Sequence, residues 1–463
     1  MIDLKDLRDN PDKYRSGALA KKMDASAVDR LLEVDARIRP LQSEREELTA
    51  EQNRIGKEIG PLAGKIKKAT GEEKTKLEAE MAKLQERPAL IKQRVAALAS
   101  NLDALEPLRD AILLIIPQPP DADVPRGSGP EDNIETRRWN STWFDPTKTF
   151  EQNKGFKAKN HIDLMMKLDM VDFERGVKIA GSRSYVLIGA GMRLHMAITR
   201  YAIDMMINEN GFTPMNVPVL VREEAMTGTG FFPLSKDQAY EVNERGRGGT
   251  HDMYLTGTGE VGLMGYHMNE IIDYEKLPLK YTTVSTCFRR EAGAAGKDAK
   301  GIYRIHQFDK VEQVVICKAD EAESRAWHKK MMGFVETLLQ RLEIPYRLLQ
   351  CCTADLGPKN VDMIDIESWM PSRGDVLPDG TTTGAYSETH SASRLYDYQC
   401  RRLNIRYKDP ETKKNTICHA LNNTVAASPR ILIPIVELYQ NDDGTITVPK
   451  VLRPYMNGME VIG

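Results

Sequence analysis

The sequence predicts an α+β protein with two different parts: an N-terminal antiparallel helical hairpin, and a domain built on a mainly antiparallel β-sheet flanked by helices. Two stretches of the first quarter repeat apolar residues at heptad spacing. Beyond a segment rich in Pro and Gly, short apolar runs mix with helical stretches without a regular βαβ order. At 463 residues the chain is long enough for two or three domains. We therefore expect domains at 1–116 and 134–463, joined by a linker at 117–133.

The predicted hairpin rests on two apolar seams. Apolar residues recur at spacings of three and four over residues 31–59, and again over residues 77–105. Such a pattern is typical of a helix that buries one stripe against a partner. Two glycines and a proline at 60–64 predict a break between the helices. Two seams of similar length joined by a short turn predict a long antiparallel coiled coil, because each helix can then cover the other's stripe.

The end of this hairpin is basic. Between Arg54 and Lys68 the local net charge is +4. The basic residues there are Arg54, Lys57, Lys65, Lys67 and Lys68. The solvated face of an ordinary coiled coil is one interpretation of this charge. The other is a surface that grips a nucleic-acid backbone, because neutralised phosphates release counterions and so favour binding.

In the second part, short apolar runs predict strands and two longer stretches predict helices. The expected helices are 190–209 and 320–343. The expected strands are VPVLV (217–221), YTTVSTCF (281–288), KVEQVVIC (310–317), RILIPIVELY (430–439) and TITVPKVL (445–452). Strands and helices mixed without regular alternation favour a largely antiparallel sheet.

Composition predicts a cytoplasmic protein. The net charge of −2 gives no overall attraction to nucleic acid. The six cysteines form no C-x-x-C pair and no zinc-type spacing, so we expect reduced structural thiols. The start of the chain, MIDLKDLRDNPDKYR, lacks the apolar core of a secretory signal, and no run approaches the length of a membrane span. We expect no membrane partner.

Polar residues recur at every second position of four strand-like segments. Residues two apart on a strand point to the same face, so this spacing predicts functional side chains along one side of a sheet. The sets are Arg289 with Glu291, Thr258 with Glu260, Phe308 with Lys310 and Glu312, and Asn422 with Thr424. A surface strand gives the same pattern for any single pair. All four sets together predict a polar-lined pocket, because polar groups are costly to bury without a ligand.

The residue types in these sets indicate the ligand. A guanidinium such as that of Arg289 binds a phosphate or a carboxylate through paired hydrogen bonds. Carboxylates such as that of Glu260 bind an ammonium group, an exocyclic amine or a hydroxyl. Phe308 can stack on a planar ring, although core packing is the commoner role of a lone phenylalanine. The sets therefore fit a nucleotide and a zwitterionic small molecule bound side by side.

Three longer segments resemble the motifs of class II aminoacyl-tRNA synthetases. ENGFTPMNVPVL (209–220) resembles the first motif, CFRREAGAAGKDAKGIYRIHQFDKVE (287–312) the second, and LNNTVAASPRILIPIVELYQ with VPKVLRPYM (421–456) the third. With the opening of the chain and the heptad hairpin, they are similar to the seryl-tRNA synthetases of the ordinary bacterial type over nearly the whole chain. The resemblance implies ATP-dependent activation of L-serine to seryl-adenylate, and transfer of serine to the 3′ end of tRNA(Ser), and of tRNA(Sec) where present.

The resemblance implies four residues around ATP. Arg289 matches the residue that holds the α-phosphate and the serine carboxylate, and Glu291 the one that meets the adenine amino group. Phe308 falls where the family stacks adenine, and Arg430 matches the arginine that clamps the far end of ATP. Arg289, Arg430 and Glu388 are the implied catalytic residues, which supply position and charge and no general base.

Five further residues fall around the implied serine site. Thr258 and Glu260 match the T-x-E signature, which receives the α-amino group of serine. Glu312, Asn422 and Thr424 occupy positions around the serine side chain. The resemblance thus implies recognition of serine by hydrogen bonds.

The resemblance also implies a metal ion and a contact with tRNA. Glu388 and Ser391 match the carboxylate and hydroxyl that coordinate the essential Mg²⁺. A minority branch of the family uses zinc bound by Cys and Glu. This chain has no matching cysteine placement, so no zinc is expected. Lys297 and Lys300, in the loop of the second motif, are placed to meet the acceptor end of tRNA.

The sequence departs from the family pattern at several positions. The usual N-G-S-G reads N-N-T-V at 422–425, so an extra methyl group takes volume beside the substrate side chain. Gly259 stands at the centre of T-x-E, where it would loosen the strand expected there. His390 stands where a serine is common. The 371–387 segment is longer than expected, which predicts a surface insertion.

Members of this family are homodimers, and the first motif lies at the dimer interface. Their N-terminal helical arm binds the long extra arm of serine tRNA and recognises it by shape. The resemblance implies the same partners here. Two other functions remain open: a serine-activating homologue that loads a carrier protein, and a non-catalytic coiled-coil protein with a vestigial nucleotide fold. The long helical arm argues against the first of these. The second disagrees with the presence of Arg289, Glu260, Glu388 and Arg430.

Overall fold

The computed structural model describes residues 1–293, 298 and 300–463. These residues form two compact units. The smaller unit consists of Leu4–Arg15 and Asp24–Ile116, and the larger unit of Met1–Asp3, Ser16–Met23 and Pro117–Gly463. The smaller unit is thus inserted between segments of the larger one. Lys297, one of the two lysines predicted to meet the acceptor end of tRNA, lies outside the described residues.

The first part of the chain is helical. Its helices are α1 (Leu4–Asp9), α2 (Pro11–Ala20), α3 (Ser26–Ile66) and α4 (Gly71–Ile115). Helices α3 and α4, of 41 and 45 residues, make up most of the smaller unit. At about 1.5 Å per residue each extends for roughly 60 Å.

Helices α3 and α4 lie side by side in opposite directions. Arg94 donates to the two carboxylate oxygens of Glu44 at 2.6 and 2.8 Å, and Arg87 donates to those of Glu51 at 2.8 and 3.0 Å. From Glu44 to Glu51 the position on α3 rises by seven residues, and from Arg94 to Arg87 the position of the partner on α4 falls by seven. The two helices are therefore antiparallel. Seam residues that are buried include Leu31, Ile38, Ile55, Ile91, Leu98 and Leu102. The predicted antiparallel coiled coil is confirmed.

The predicted break at 60–64 is wrong. Helix α3 continues through these residues to Ile66, and only residues 67–70 connect it to α4. Pro61 removes one main-chain donor from the helix. Its neighbour Leu62, however, is only 7% exposed. Packing of the apolar stripe stabilises a helix more than local propensity does, so the helix persists through the glycines and the proline.

The predicted basic patch occupies the closed end of this hairpin. Lys67 and Lys68 belong to the connection itself, and Lys65 lies in the last turn of α3. The five basic side chains of the patch are all exposed. They are therefore available to a partner in solution.

The larger unit contains the remaining helices and all the strands of the described residues. The helices are α5 (Phe150–Lys154), α6 (His161–Lys167), α7 (Phe173–Ala180), α8 (Gly189–Asn208), α9 (Glu223–Gly228), α10 (Glu260–Gly265), α11 (Glu321–Arg341), α12 (Tyr398–Leu403) and α13 (Leu432–Leu438). The strands are β1 (Ile134–Trp139), β2 (Val171–Asp172), β3 (Val186–Leu187), β4 (Thr213–Pro214), β5 (Leu220–Arg222), β6 (Tyr240–Val242), β7 (Met253–Leu255), β8 (Ile271–Ile272), β9 (Leu279–Phe288), β10 (Gln307–Cys317), β11 (Tyr346–Gln350), β12 (Asp362–Met370), β13 (Ala385–Tyr396), β14 (Arg406–Lys408), β15 (Asn415–Ile417), β16 (His419–Ser428), β17 (Ile446–Thr447) and β18 (Val461–Ile462).

Eight of these strands form one sheet, in the order β1-β11-β12-β13-β16-β10-β9-β4. Neighbouring strands are antiparallel except the short edge strand β4, which is parallel to β9. Helices α8 and α11 pack on the central strands. The predicted α+β class, with a mainly antiparallel sheet and flanking helices, is therefore confirmed.

The two faces of the central strands have different roles. Val311 of β10 and Val425 of β16 belong to the apolar core with residues of α8 and α11. Their neighbours Lys310 and Thr424 line a pocket instead. Since successive side chains of a strand point to opposite faces, the helices cover one face and the pocket lies on the other.

Not every apolar run is a strand. The runs at 281–288 and 310–317 lie within β9 and β10 as predicted, and the two predicted helices are α8 and α11. The run at 430–439 instead contains helix α13, and in the run at 445–452 only two residues are strand. All seven residues of α13 are buried, so no polar face marks the helical period in the sequence.

The 117–133 segment belongs to the larger unit. Its main chain bonds to that unit, since Gln118 N–H donates to the Pro358 carbonyl and Asp121 N–H to the Val361 carbonyl, both at 2.9 Å. The six cysteines are buried free thiols. Among the described helices, none is both long enough and apolar enough to cross a membrane.

Replacing Asp35 by alanine should destabilise the smaller unit. Its carboxylate, 1% exposed, accepts two hydrogen bonds from Arg8 at 2.6 and 2.7 Å. Loss of hydrogen bonds to a charged group costs about 2 kcal/mol. We expect Asp35→Ala to lower the free energy of unfolding by that amount in urea, followed by helical circular dichroism. Asp12, whose side chain is 92% exposed, is the control, and an equal loss in Asp12→Ala would contradict the role of burial.

Candidate active site

A pocket of about 370 Å³ opens on the face of the eight-stranded sheet that the helices leave uncovered. It collects residues from distant parts of the chain. The sequence-predicted residues that line it are Thr258, Glu260, Arg289, Glu291, Phe308, Glu388, Ser391, Asn422, Thr424 and Arg430. The described structure therefore brings these ten side chains to one cavity. Seven of them belong to the four polar sets, and the resemblance implies the other three, Glu388, Ser391 and Arg430.

Arg289 and Glu291 line the pocket, but not as neighbours on a strand. Strand β9 ends at Phe288, and Glu291 has a left-handed backbone with φ of 53°. The prediction of a strand pair is wrong here because the chain turns after Phe288. The Arg289 guanidinium lies 5.2 Å from the centre of the Phe308 ring. Glu291 accepts a hydrogen bond from Arg304 at 2.7 Å.

Thr258 and Glu260 also do not lie on a strand. Strand β7 ends at Leu255, and Glu260 is the first residue of α10. The side chains of Thr258 and Glu260 are buried, and Thr258 Oγ1 accepts from the main-chain N–H of Glu260 at 3.3 Å. The strand prediction is wrong because the glycines of T-G-T-G-E favour a turn.

Gly259 allows this turn to approach β9. A β-carbon at this position would lie 2.5 Å from Cγ2 of Thr283 and 2.9 Å from Oγ of Ser285. The expectation that Gly259 loosens a strand is therefore wrong. The missing side chain lets the turn pack closely on the sheet, where it holds the two functional side chains.

Strand β10 follows the predicted alternation. Phe308 and Lys310 line the pocket, whereas Glu312, 1% exposed, is not among the lining residues. Glu312 accepts from the Thr258 hydroxyl at 3.2 Å and forms an ion pair with Lys310. Lys310 Nζ also donates to Thr258 Oγ1 at 2.8 Å. Glu312 thus lies behind Thr258 and Lys310, and its burial raises the pKa of its carboxyl group.

The Glu260 carboxylate is the most highly coordinated group of the pocket. Lys359 Nζ lies 2.8 Å from each of its oxygens. Gln399 Nε2 and Asn422 Nδ2 donate to Oε1 at 2.7 and 2.6 Å. Glu260 is 3% exposed, so these partners replace most of its water. These hydrogen bonds fix the carboxylate in one orientation. Oε1 accepts from all three partners and Oε2 from Lys359, so Oε2 is the less occupied oxygen.

Arg430 lies at the other end of the pocket, against Tyr303. Its Nε donates to the Tyr303 carbonyl at 3.2 Å, and its guanidinium lies 4.4 Å from the Tyr303 ring centre. The Arg373 guanidinium lies 4.2 Å from the same ring centre and forms an ion pair with Asp298. Two arginines therefore contact one aromatic ring where the resemblance implies the far end of ATP.

Glu388 and Ser391 reach the pocket together because of an irregularity in β13. Residues three apart on a regular strand point to opposite faces. The register between β12 and β13 shifts between Ile366 and Glu367, and this shift leaves Thr389 as an extra residue. Both side chains therefore line the pocket. Asp365, which pairs with Ser391 on the neighbouring strand, has its pKa raised to about 8 by burial and by the nearby Glu388.

Three charged residues of this site were not identified from the sequence: Lys359, Arg304 and Arg373. Lys359 lies in the sequence G-P-K-N (357–360), which carries no motif. Arg373 belongs to the 371–387 segment, which was interpreted as a surface insertion. Arg304 is the exception, because it lies within the second motif-like segment and its position there was a usable signal.

The 371–387 segment is the connection between β12 and β13, with part of β13 at its end. Its tip carries an isolated bridge between Val376 and Thr382. His390, the other departure in this region, is buried and bonds to Thr389 Oγ1 at 2.9 Å and to the Val425 carbonyl at 3.1 Å. Burial lowers its pKa to about 3, so it stays neutral. It is not among the described residues that line the pocket.

A second cavity of about 530 Å³ adjoins the first. The two share Phe231, Arg289, Glu291 and Arg304 as walls. The second cavity extends to Ala292 and Gly293, at the start of the loop that carries Lys300. Lys300 itself is exposed and does not line either cavity. Ligands bound in the two cavities would therefore lie on either side of Arg289.

The close packing of Gly259 can be tested by substitution. We expect Gly259→Ala to lower the free energy of unfolding by about 1–3 kcal/mol, because the added methyl group overpacks the contact with Thr283. The double variant Gly259→Ala with Thr283→Ser removes the opposing methyl group and should recover most of the loss. Thermal unfolding measures both.

The control for this prediction is Gly333→Ala in α11. A β-carbon there meets nothing within 4 Å, so alanine should be neutral or stabilising by up to about 1 kcal/mol. A Gly259→Ala chain as stable as the unmodified chain would contradict the close packing, and so would the absence of any recovery in the double variant.

Two protein families match most of the chain. The family described as the seryl-tRNA synthetase N-terminal domain matches residues 1–120. The family described as the tRNA synthetase class II core domain (G, H, P, S and T) matches residues 240–439. The two matches cover the helical hairpin and most of the residues that line the pocket.

Individual relatives match along their whole length. The serine–tRNA ligase of Deinococcus radiodurans is 38% identical, over 100% of this chain and 99% of that protein. The crystal structure of seryl-tRNA synthetase from Pyrococcus horikoshii complexed with ATP has a TM-score of 0.82 at 36% identity, and covers 100% of this chain and 99% of that one. The cytoplasmic enzyme of Naegleria fowleri in complex with AMP has a TM-score of 0.80 at 30% identity, over 98% and 95% of the two chains. The chain therefore belongs to the seryl-tRNA synthetase family of class II aminoacyl-tRNA synthetases.

Proposed function

We propose that this chain is a serine–tRNA ligase, which activates L-serine with ATP and transfers the seryl group to the 3′ end of tRNA(Ser). The observation that carries this proposal is one pocket that Arg289, over the Phe308 ring, lines together with the buried carboxylate of Glu260. Such a pocket offers a cation for phosphate and carboxylate at one place and an acceptor for an ammonium group at another. The ATP and AMP complexes of the two structural relatives support it.

ATP occupies the end of the pocket between Arg289 and Arg430. Phe308 stacks on the adenine ring, and Arg289 binds the α-phosphate from the side of that ring. Arg430, with Tyr303 beneath it, binds the terminal phosphates. Glu291 is the implied partner of the adenine amino group, and its ion pair with Arg304 orients its carboxylate.

Serine occupies the end around Glu260. Its α-ammonium is bound by the Thr258 hydroxyl and by Oε2 of Glu260, the less occupied oxygen. The side-chain hydroxyl of serine is bound by Thr424. Asn422 and the buried Glu312 lie behind the serine and Thr424. Alanine leaves these polar groups unpaired, which is a large penalty. Threonine is excluded by volume, to which the Thr424 methyl group contributes.

The chemistry proceeds in two steps. The serine carboxylate attacks the α-phosphorus of ATP, so that a new P–O bond forms and the bond to pyrophosphate breaks. A hydroxyl of the 3′-terminal ribose of tRNA then attacks the seryl carbonyl, the ester forms, and AMP leaves. Arg289 binds the charge at the α-phosphate and Arg430 that of the leaving pyrophosphate, so the protein supplies position and charge.

Glu388 and Ser391 fit a magnesium ion. A carboxylate and a hydroxyl are the oxygen ligands that Mg²⁺ takes alongside phosphate oxygens. Glu388 is half-exposed in the pocket, 3.6 Å from Arg430, and Ser391 lines the same wall. When bound, Mg²⁺ supplies charge neutralisation at the phosphates. Among the described residues that line the pocket there is no cysteine and no histidine, and we infer that serine is recognised without zinc.

The helical hairpin binds tRNA(Ser) through the basic patch at its closed end. The five exposed cations there suit the backbone of the long extra arm, which is recognised by shape. The second cavity, on the far side of Arg289, suits the acceptor end, and Lys300 belongs to the loop that begins at the cavity wall with Ala292 and Gly293. In this division of roles, residues 1–116 bind tRNA and residues 134–463 form the catalytic domain. Residues 117–133 connect these two parts. The extra arm of tRNA(Sec) would be bound in the same way where that tRNA is present.

We also infer a homodimer. Helix α8 buries one side in the core, yet Met192 and Met196 on its other side are 42% and 57% exposed. Ile179 and Ile188, which precede α8 in the chain, are 76% and 41% exposed. Exposed apolar side chains of this number on one segment are typical of a protein interface. The segment directly precedes the first motif-like sequence at 209–220.

The activity is tested by serine-dependent exchange of pyrophosphate into ATP. We expect exchange with serine, little with alanine or threonine, and charging of tRNA(Ser). A chain in which residues 52–86 are replaced by a short glycine-rich turn keeps the Glu51–Arg87 pair and lacks all five basic residues. It should exchange normally and fail to charge tRNA(Ser).

Deleting the whole hairpin from the N-terminal side is a poorer test, because Met1–Asp3 and Ser16–Met23 belong to the larger unit. If the whole chain gives no exchange with serine, the proposed activity is wrong. If the shortened chain charges tRNA(Ser) normally, the role of the hairpin is wrong.

Single substitutions separate activation from tRNA binding. We expect Arg289→Ala to reduce exchange by at least about a hundredfold, because it removes the cation at the α-phosphate. Reversal of Lys65, Lys67 and Lys68 to glutamate should leave exchange intact and raise the KM for tRNA by about tenfold or more at low salt. Exchange and charging rates measure the two effects.

Arg290 is the control for Arg289. It is exposed, donates to the Asp237 carbonyl at 3.1 Å and does not line the first cavity. Arg290→Ala should leave exchange almost unchanged. Equal losses at the two arginines would refute the assignment of Arg289, and unchanged tRNA kinetics in the triple lysine variant would remove those lysines from the tRNA site.

A further inference from the structure

Lys21 is a buried lysine outside the class II core match. It belongs to the Ser16–Met23 segment of the larger unit and is 4% exposed. Its ammonium donates to three main-chain carbonyls, those of Gly357 at 2.9 Å, Asn360 at 2.5 Å and Pro358 at 3.4 Å. These three acceptors all belong to the 357–360 segment. One cation thus binds one short segment at three points.

Burial of this ammonium is costly, because the charge leaves water and its hydrogen bonds go to neutral carbonyl groups. Burial also lowers the pKa of Lys21 to about 7. The three carbonyls offset the cost only while they point at the ammonium together. The position of Lys21 and the conformation of the 357–360 segment therefore depend on each other.

The 357–360 segment forms a wall of the amino-acid end of the pocket. Gly357, Lys359 and Asn360 line that pocket. Lys359 lies 2.8 Å from both carboxylate oxygens of Glu260, and Asn360 Nδ2 donates to the Ser393 hydroxyl at 2.8 Å. The outward carbonyls of the segment face Lys21, whereas its polar side chains face the pocket. A shift of its main chain would therefore move Lys359 relative to Glu260.

Two separate segments of the chain bond to the main chain of the 357–360 segment and its neighbour Val361. Lys21 precedes the Asp24–Ile116 segment of the smaller unit, and Gln118 and Asp121 follow that segment. The main-chain N–H groups of Gln118 and Asp121 donate to the carbonyls of Pro358 and Val361. These acceptors lie on and beside the segment that Lys21 binds. The chain on both sides of the Asp24–Ile116 segment thus bonds to the wall of the amino-acid pocket.

We propose that Lys21 is a positioning residue of the amino-acid pocket: it holds the 357–360 segment so that Lys359 stays on Glu260 and keeps the carboxylate aimed at the substrate's ammonium group. The inference rests on the proposed function, since it takes the ligand of Glu260 to be the α-ammonium of serine. It gives a role in substrate affinity to a residue that touches neither serine nor ATP.

Lys21→Met tests this role, because methionine has a similar length and lacks the ammonium. In pyrophosphate exchange we expect the KM for serine to rise about tenfold, as for loss of a charged hydrogen-bonding group, with the KM for ATP and kcat little changed. Lys21→Arg, which keeps the charge and the donors, should restore most of the affinity. Lys22→Met is the matched control, since Lys22 is exposed and bonds to the Ser128 carbonyl; its kinetics should not change.

A double-variant cycle tests the route through Lys359. If Lys21 acts by holding Lys359, then Lys21→Met should raise the KM for serine much less in a Lys359→Met chain than in the unmodified chain. Fully additive effects would overturn that route. An unchanged KM for serine in Lys21→Met would overturn the proposal itself. So would a fall in kcat alone, because partial unfolding reduces the amount of active enzyme without changing its KM.

Failure to fold, failure of the proposed function and failure of the Lys21 role give three different results. If Lys21→Met does not accumulate as a folded chain, Lys21→Gln replaces it, and the KM for serine should rise in the order Lys, Arg, Gln; equal values in all three would overturn the proposal. If the unmodified chain shows no serine-dependent exchange, the proposed function is wrong. Normal exchange by the unmodified chain with no serine effect in the Lys21 variants makes only the role of Lys21 wrong.

Discussion

The pocket depends above all on the buried carboxylate of Glu260. At 3% exposure an unpaired carboxylate would be very costly, and here it is surrounded by Lys359, Gln399 and Asn422. These partners come from the 357–360 segment, from α12 and from β16. None of them can move without exposing the carboxylate to an unfavourable environment. One charge therefore couples four distant parts of the chain, at the place where we propose that the substrate's ammonium group binds.

The remaining site follows from the alternation of the central strands. Val311 and Val425 face the core and hold β10 and β16 against the helices. The same strands then have to direct Lys310 and Thr424 to the opposite face. Glu388 and Ser391 break this rule, and only the register shift in β13 brings both into the pocket. Core packing and site geometry are thus two consequences of one sheet.

Sequence patterns succeed here where a single period dominates. The heptad seams predicted the coiled coil because one side of each helix is buried and the other is exposed. The runs of β9 and β10 predicted strands through their β-branched residues, although residues 310–317 are all buried. Patterns failed where no polar face marks a helical period, or where packing outweighs propensity. Helix α13 is buried all round, so its period is invisible, and the proline and glycines near residue 61 do not end α3 because the apolar stripe continues past them. The polar spacing predicts strands for Arg289 with Glu291 and for Thr258 with Glu260, although both pairs lie beyond the ends of their strands.

By itself the sequence determined the α+β class, the antiparallel hairpin with its basic end, and the ten predicted residues that line the pocket, because these depend on periodicity and on motifs read in order. Only the tertiary structure decided which charges meet. The partners of Glu260, the contact of Arg373 with Tyr303, and the three carbonyls around Lys21 join residues that are dozens to hundreds of positions apart. No local pattern records such pairs, because their energy comes from desolvation in the folded chain.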